Sequence, residues 1–181
     1  SIDSLSLNRV LTLDHSMSVI DLGTGAGFPG IPLKIAFPDL EITLVDSLQK
    51  RVNFLTDVID ELSLSGIYAV HGRAEELARR EDYREQYDVC VSRAVANLST
   101  LSEYCLPFVK IDGKFISYKS AGIDEELDRA KQAISLLGGA VEKVDKFHIE
   151  EGARSLVVID KRKNTPKKYP RKAGTPTRNP L

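Results

Sequence analysis

Asp21, Gly23, Gly25, Gly27 and Gly30 hold the most informative spacing in the chain, at the end of a short apolar run in MSVIDLGTGAGFPG, residues 17–30. A buried strand that ends in a carboxylate and turns through glycines into a helix aims backbone N–H groups and a helix dipole at a ligand. Such a turn suits a nucleotide-like cofactor. Two registers compete for it. Gly25, Gly27 and Gly30 satisfy the dinucleotide GxGxxG spacing, while Asp21, Gly23, Gly25 and Gly27 satisfy the acidic-x-GxGxG spacing of S-adenosylmethionine binders. The second register is favoured. A carboxylate beside the turn accepts from the cationic methionine end of S-adenosylmethionine and repels a pyrophosphate. The bland alternative is a loop whose glycines only let strand and helix pack closely.

A second carboxylate, Asp46, ends the run EITLVD, 23 residues beyond Gly23. In doubly wound sheets an acidic residue there accepts from ribose hydroxyls across the crevice, and Ser47 and Leu48 follow it, the leucine against the adenine. Asp46 is equally placed to cap the helix opened by LQKR. The run IYAVH ends at His71, and the following loop places Ala74 and Glu75 to meet the adenine's amino edge, with a favourable first-turn carboxylate as the competing role for Glu75. His71 itself reads as a packed or exposed residue. The run YDVCVS delivers Ser92 and Arg93 to a strand's carboxyl end, where the methyl group of the cofactor points. An arginine against a buried sheet must find an anion, a carbonyl or a base, so Arg93 is expected to contact cofactor or substrate, or to pair with a carboxylate such as Asp21. It is also the candidate for positioning, no catalytic base being evident. The Asn/Asp-Pro-Pro-aromatic motif of amino-directed DNA methyltransferases is missing from this strand end, which argues against an exocyclic amine as acceptor. An acceptor with a free lone pair, such as guanine N7, loses no proton and needs orientation and desolvation more than a base.

Alternating strand and helix patterns must hold these residues. Strands are expected at 17–22, 41–46, 67–71, 87–92 and 113–118, with 140–149 and 154–161 as a closing pair. Val52, Leu55, Ile59 and Leu62 form one apolar helix face, and Ile123, Leu127, Ala130, Ile134 and Leu137 another. Pro32 is tolerated in the first turn of the helix after the glycines, and Pro38 ends it. This alternation predicts an α/β fold with helices on both faces of a mostly parallel sheet. The EEGA turn is too short for a parallel crossover, so the last two strands form an antiparallel hairpin. Seven strands in that arrangement describe the Rossmann-like, class I S-adenosylmethionine-dependent methyltransferase sheet.

The chain has 181 residues, enough for one such domain. Its two cysteines, Cys90 and Cys105, lie in apolar runs without metal-type spacing, which points to small reduced hydrophobes and the cytoplasm. No apolar run approaches the roughly 20 residues that span a bilayer. The chain opens on SIDSL, without a methionine and in what reads as mid-helix, so a preceding helical segment is expected. Formal net charge is −1, yet all eight basic residues of 161–181 stand without an acidic one, leaving 17 Lys and Arg against 26 Asp and Glu before them. Residues 1–160 are read as the domain and 161–181 as a basic tail packing on or extending from it. Such a tail suits a phosphate backbone, since each neutralised phosphate releases counterions; a solvated terminus is the alternative. Lys34, Arg51 and Lys119 are further basic residues expected near the crevice mouth.

DLGTGAGFPGIPL, LVDSLQKRVNFL, SRAVANL and KKYPRKAGTPTRNPL together resemble the bacterial ribosomal RNA small-subunit methyltransferase G family, also called glucose-inhibited division protein B. The resemblance implies methylation of N7 of a guanosine in the decoding region of 16S rRNA, with S-adenosyl-L-methionine as cofactor. It also implies low-level streptomycin resistance on loss, and 16S rRNA or the small ribosomal subunit as partner, with no membrane and no obligatory protein partner. By motif it implies cofactor contacts at Gly23, Phe28, Asp46, Ser47, Leu48, Ala74, Glu75 and Arg93, and no metal. The alternatives are a methyltransferase of another RNA, a protein or a small molecule, and a non-catalytic ribosome-associated module on the same fold. A dehydrogenase would need a Tyr-x-x-x-Lys or His pair that is not placed near the crevice.

Overall fold

The structure is a computed structural model that describes residues 6–10, 12, 16–23 and 29–181. Seven strands form one sheet: β1 (Ser18–Leu22), β2 (Glu41–Asp46), β3 (Ile67–His71), β4 (Tyr87–Ser92), β5 (Val109–Ser120), β6 (Gly139–Ile149) and β7 (Gly152–Lys161). Their spatial order is β3-β2-β1-β4-β5-β7-β6. The first five run parallel, and β7 pairs antiparallel with both β5 and β6. The expected hairpin is therefore present, turned more tightly than EEGA implied: only Glu150 and Glu151 lie between the two strands, and Gly152 takes φ +128. Strand β5 starts four residues earlier than expected. Its register with β4 shifts between Tyr87 and Val89, where Asp112 (φ +72) gives the strand an irregularity that an alternation count reads as a break.

Helices α1 (Gly30–Ala36), α2 (Gln49–Glu61), α3 (Ala74–Leu77), α4 (Leu98–Cys105), α5 (Ile123–Leu136) and α6 (Thr175–Arg178) connect or follow the strands. The central strands are buried on both faces, as parallel strands between helix layers must be. Val19, Ile42, Leu44, Val89 and Val91 pack against Ile31, Leu33, Leu55 and Ile59 of α1 and α2. The alternate residues Ile20, Leu22, Val45, Cys90 and Phe115 pack against Leu98, Leu101, Ala130 and Ile134 of α4 and α5. Strand periodicity thus divides the core into two layers. Leu62, expected on the buried face of α2, instead forms its C-cap and is half exposed. Both cysteines are free and buried. The helix expected at the opening residues, with most of the glycine loop, including Gly25, Gly27 and Phe28, lies outside the described residues.

Gly30 shows why a glycine stands at the start of α1. A Cβ there would come 2.2 Å from Leu44 Cδ2 and 3.1 Å from Asp21 Oδ2, and its backbone N–H donates to Asp21 Oδ2 at 3.0 Å. The helix can approach β2 and be held by Asp21 only without a side chain at this position. We expect Gly30→Ala to lower stability by about 1–3 kcal/mol through overpacking, seen in chemical denaturation; an unchanged midpoint would show that α1 shifts freely.

Candidate functional site

The carboxyl ends of β1 to β4 lie on one edge of the sheet, and the strand order reverses across β1, with β2 on one side and β4 on the other. A crevice opens at such a reversal. Gly23 leaves β1 with φ +69, its N–H bonded to Val45 O at 3.0 Å, and among the described residues nothing lies within 4 Å of where its Cβ would stand. A cavity of about 260 Å³ adjoins this turn, lined among others by Gly23, Ser47, Ala74, Glu75, Ser92 and Tyr104. Four of the sequence-predicted positions, Gly23, Ser47, Ala74 and Glu75, are thereby brought together from three separate loops.

The remaining positions fall elsewhere. Asp46 is buried at the end of β2, where Oδ1 accepts from Leu48 N at 2.9 Å and Oδ2 lies 3.7 Å from Arg51. Its carboxylate therefore shapes the turn carrying Ser47, braced by His71 Nε2 at 3.0 Å from Ser47 O. Leu48 is half exposed and lies outside the lining of this cavity. Asp21 is 1% exposed and bound to the first turn of α1, so at least one of its oxygens serves the fold. Lys34, expected near the crevice mouth, is buried and donates to the carbonyls of Pro38 and Leu40, closing the turn between α1 and β2. Phe28 lies outside the described residues.

Arg93 lines a second, larger cavity of about 590 Å³, with Tyr118, Lys119, Glu126, Phe147 and Arg154. Its guanidinium stands 5.8 Å from the centre of the Tyr118 ring. Ala94 lines both cavities, so the segment Ser92–Ala94 is the wall between them. Ser92 Oγ accepts from Ala94 N within that segment at 3.2 Å, and beyond it Asn97 Oδ1 caps α4 by accepting from Thr100 N at 3.0 Å. Sequence reasoning passed over α4, although Asn97 followed by Leu98, Leu101 and Cys105 is a capped apolar face. Through that helix Leu101, Tyr104 and Cys105 enter the smaller cavity. Burial, reinforced by the neighbouring Cys105, pushes the Cys90 thiol well above its ordinary range, which leaves it an inert core group.

The C-terminal segment lies against this site. Gly174 N donates to Glu75 Oε2 at 3.1 Å, Thr100 Oγ1 donates to Pro176 O at 3.0 Å, and Tyr104 Oη meets Thr177 Oγ1 at 2.8 Å. Of the eight basic residues there, two, Lys161 and Arg171, are drawn into the fold. Lys161 is wholly buried, donating to Leu106 O and Val109 O at 2.7 Å each and facing Glu85 at 3.0 Å; burial draws its ammonium below the ordinary range, and Glu85 opposes the shift. Arg171 forks onto Glu103, which is fully buried, at 2.7 Å, and the same hydrogen bonding raises the guanidinium. The other six face solvent.

The chain matches the model of the family described as rRNA small subunit methyltransferase G over residues 1–157. The chain belongs to that family. It is 50% identical over 182 residues to Ribosomal RNA small subunit methyltransferase G of Clostridium novyi (strain NT), covering 99% of this chain and 75% of the relative. It is 52% identical over 182 residues to the protein of that name in Desulforamulus reducens, covering 99% and 76%. Among solved structures it is similar in fold to TrmK of M. capricolum in complex with S-adenosyl-homocysteine, with TM-score 0.64, 16% identity and coverage of 91% of this chain and 70% of that one. YcgJ of Bacillus subtilis shares the fold at TM-score 0.67 and 13% identity, over 91% and 100%. The seven-stranded sheet with its antiparallel end is that of the class I S-adenosylmethionine methyltransferases.

Because Glu103 is buried under Arg171, Arg171→Ala strands an uncompensated charge inside α4. We expect a loss of about 3 kcal/mol or more in unfolding free energy, measured by urea denaturation; a change under about 0.5 kcal/mol would mean that water reaches Glu103.

Proposed function

We propose that this chain transfers a methyl group from S-adenosylmethionine to N7 of a guanosine in 16S rRNA, with rRNA in the small ribosomal subunit as its substrate. The observation that carries the reading is the pair of cavities meeting at Ala94, one at the glycine turn and one beyond the end of β4, in a chain of this family. Two features at and beside the smaller cavity fit the cofactor. Among the described residues the Gly23 turn is open on the side a side chain would fill, and a buried carboxylate, Asp46, stands at the adjacent strand end, where ribose hydroxyls need an acceptor. When bound, the cofactor supplies an electrophilic methyl on a sulfonium.

The roles of this chain follow from what such a transfer demands. N7 offers a lone pair, so no side chain need remove a proton, and orientation with exclusion of water becomes the main task. We assign Gly23 and Ser47 to backbone contacts with the cofactor, Asp46 to its ribose, and Ala74 and Glu75 to its adenine edge. Leu48 is assigned to the adenine in this reading, and Phe28 to the cofactor by the family resemblance alone. Arg93, on the larger cavity's side of the wall, positions the acceptor and keeps the two ligands in line. The six solvent-facing basic residues of the C-terminal segment support an RNA contact, since they can neutralise phosphates without disturbing the Lys161–Glu85 and Arg171–Glu103 pairs. The cytoplasm, where small subunits are assembled, is the matching compartment.

The test is methyl transfer in vitro to small subunits from cells lacking the gene, with the modified nucleotide mapped by mass spectrometry. One N7-methylguanosine in 16S rRNA is expected; methylation of another atom, or none, contradicts the reading. Asp46→Ala should weaken S-adenosylmethionine binding by about 1.5–3 kcal/mol, the range of charge-assisted hydrogen bonds, as read by calorimetry. Unchanged affinity would leave Asp46 as a turn-shaping residue alone.

A further inference from the structure

The larger cavity has a composition that asks for a particular occupant. Among the described residues that line it, three cations, Arg93, Lys119 and Arg154, and two rings, Tyr118 and Phe147, surround a single carboxylate, Glu126, on the inner face of α5. Rings and cations suit any nucleotide, since every base has a π face and every nucleotide a phosphate. The carboxylate is the discriminating group. Glu126 Oε2 lies 2.7 Å from Lys119 Nζ, and that ammonium also donates to Ala96 O at 2.6 Å, on the loop that follows the wall between the cavities. Lys119 therefore holds Glu126 in register with Ser92–Ala94; Oε2 is buried at that contact while the side chain as a whole is 30% exposed, so Oε1 is the oxygen available to a ligand.

We propose that this cavity receives the acceptor guanine out of its stack and that Glu126 recognises it through Oε1, which accepts from the N1–H and the N2 amino group. The inference rests on the reaction proposed above and names the residue that selects its base. Guanine alone among the four bases offers two adjacent donors on its Watson–Crick edge. Adenine places an unprotonated N1 there, which a carboxylate repels. The geometry of the purine does the rest: N7 lies on the edge remote from N1 and N2, so a guanine gripped from α5 turns N7 away from that helix, toward the wall and the cofactor cavity behind it. Extrusion of the target base is the general solution when a reactive atom must enter a pocket.

The same contact acts on the chemical step. A bond forms between N7 and the methyl carbon as the sulfur–carbon bond breaks, and the positive charge passes from sulfur to the purine, with no proton released. The N1–H and N2 donors become more acidic as charge arrives, so their bonds to Glu126 strengthen in the transition state and raise kcat as well as binding. Stacked rings favour the same cationic purine.

The experiment uses small subunits reconstituted with either guanosine or inosine at the target position. Inosine keeps N7 and N1–H but lacks the N2 amino group. We expect the wild-type protein to prefer guanosine over inosine by about tenfold in kcat/KM. Glu126→Gln should lower kcat/KM on guanosine about tenfold or more, lose most of that preference, and bind S-adenosylmethionine within twofold of wild type. A Glu126→Gln protein that matches wild type on guanosine, or that retains the full preference, overturns the assignment, as does a wild-type protein indifferent to the N2 amino group. If the Gln variant melts early, Glu126→Asp keeps the charge and draws it back; it should raise the subunit KM several-fold, and an unchanged KM counts against the proposal. Failure of wild type to methylate either substrate condemns the reaction itself, a result distinguishable from failure of Glu126 alone.

Discussion

Parallel pairing of β1 with both β2 and β4 is the constraint on which the rest of this molecule depends. Parallel strands bring every carboxyl terminus to one edge, and the reversal of strand order across β1 parts the loops there into two groups. Gly23, Ser47 and Glu75 reach one side of the parting from the turns after β1, β2 and β3. Arg93 and Lys119 reach the other from the ends of β4 and β5. Neither cavity is carved by a single element. Each is the consequence of how neighbouring strands end, which is why a short segment, Ser92–Ala94, can stand between donor and acceptor.

Close approach is the second requirement, and it is met by small residues and buried carboxylates. Gly30 lets α1 lie on Leu44 while Asp21 takes its first N–H; Asp46 takes the N–H of Leu48 at the next strand end. These carboxylates sit at helix starts, where the dipole favours negative charge. The C-terminal segment extends the same logic from outside. Through Glu75 and Glu103 it grips the loop after β3 and the helix α4, both of which line the smaller cavity or carry residues that do. Removing that segment would therefore disturb the cavity as well as any RNA contact, so charge-neutral substitutions of its exposed lysines separate the two effects better than truncation.

The strands, both long helices and the closing hairpin were legible because their burial is periodic and local. Strands β2, β3 and β4 fall where alternation and apolar runs place them, and the helix faces of α2 and α5 follow from three- and four-residue spacing, apart from Leu62 at a cap. The cavity lining was legible at Gly23, Ser47, Ala74, Glu75 and Arg93, which follow strand ends, while Leu48 after β2 falls outside it. It was opaque where an element reaches the site from its side: Tyr104 and Cys105 from α4, Glu126 from α5, and Phe147 and Arg154 from the antiparallel strands. Those contributions depend on helix rotation and strand register, which no local pattern encodes. Arg93 illustrates the limit. Its position after β4 is plain from the sequence, but the side of the wall it faces is decided by the turn at Ser92 and the cap at Asn97. The basic segment misled in a different way, because a count of charges does not reveal that Lys161 is itself buried or that Arg171 is held by the buried Glu103.

The central claim is a division of labour between two cavities, and a crystal structure with S-adenosylhomocysteine tests it most directly. The account predicts that this product occupies the cavity bounded by Gly23, Ser47 and Glu75, its ribose within hydrogen-bonding distance of Asp46, with the space between Arg93 and Glu126 left open to an acceptor. Electron density for it between Tyr118 and Arg154, with Asp46 remote from the ribose, would contradict the account.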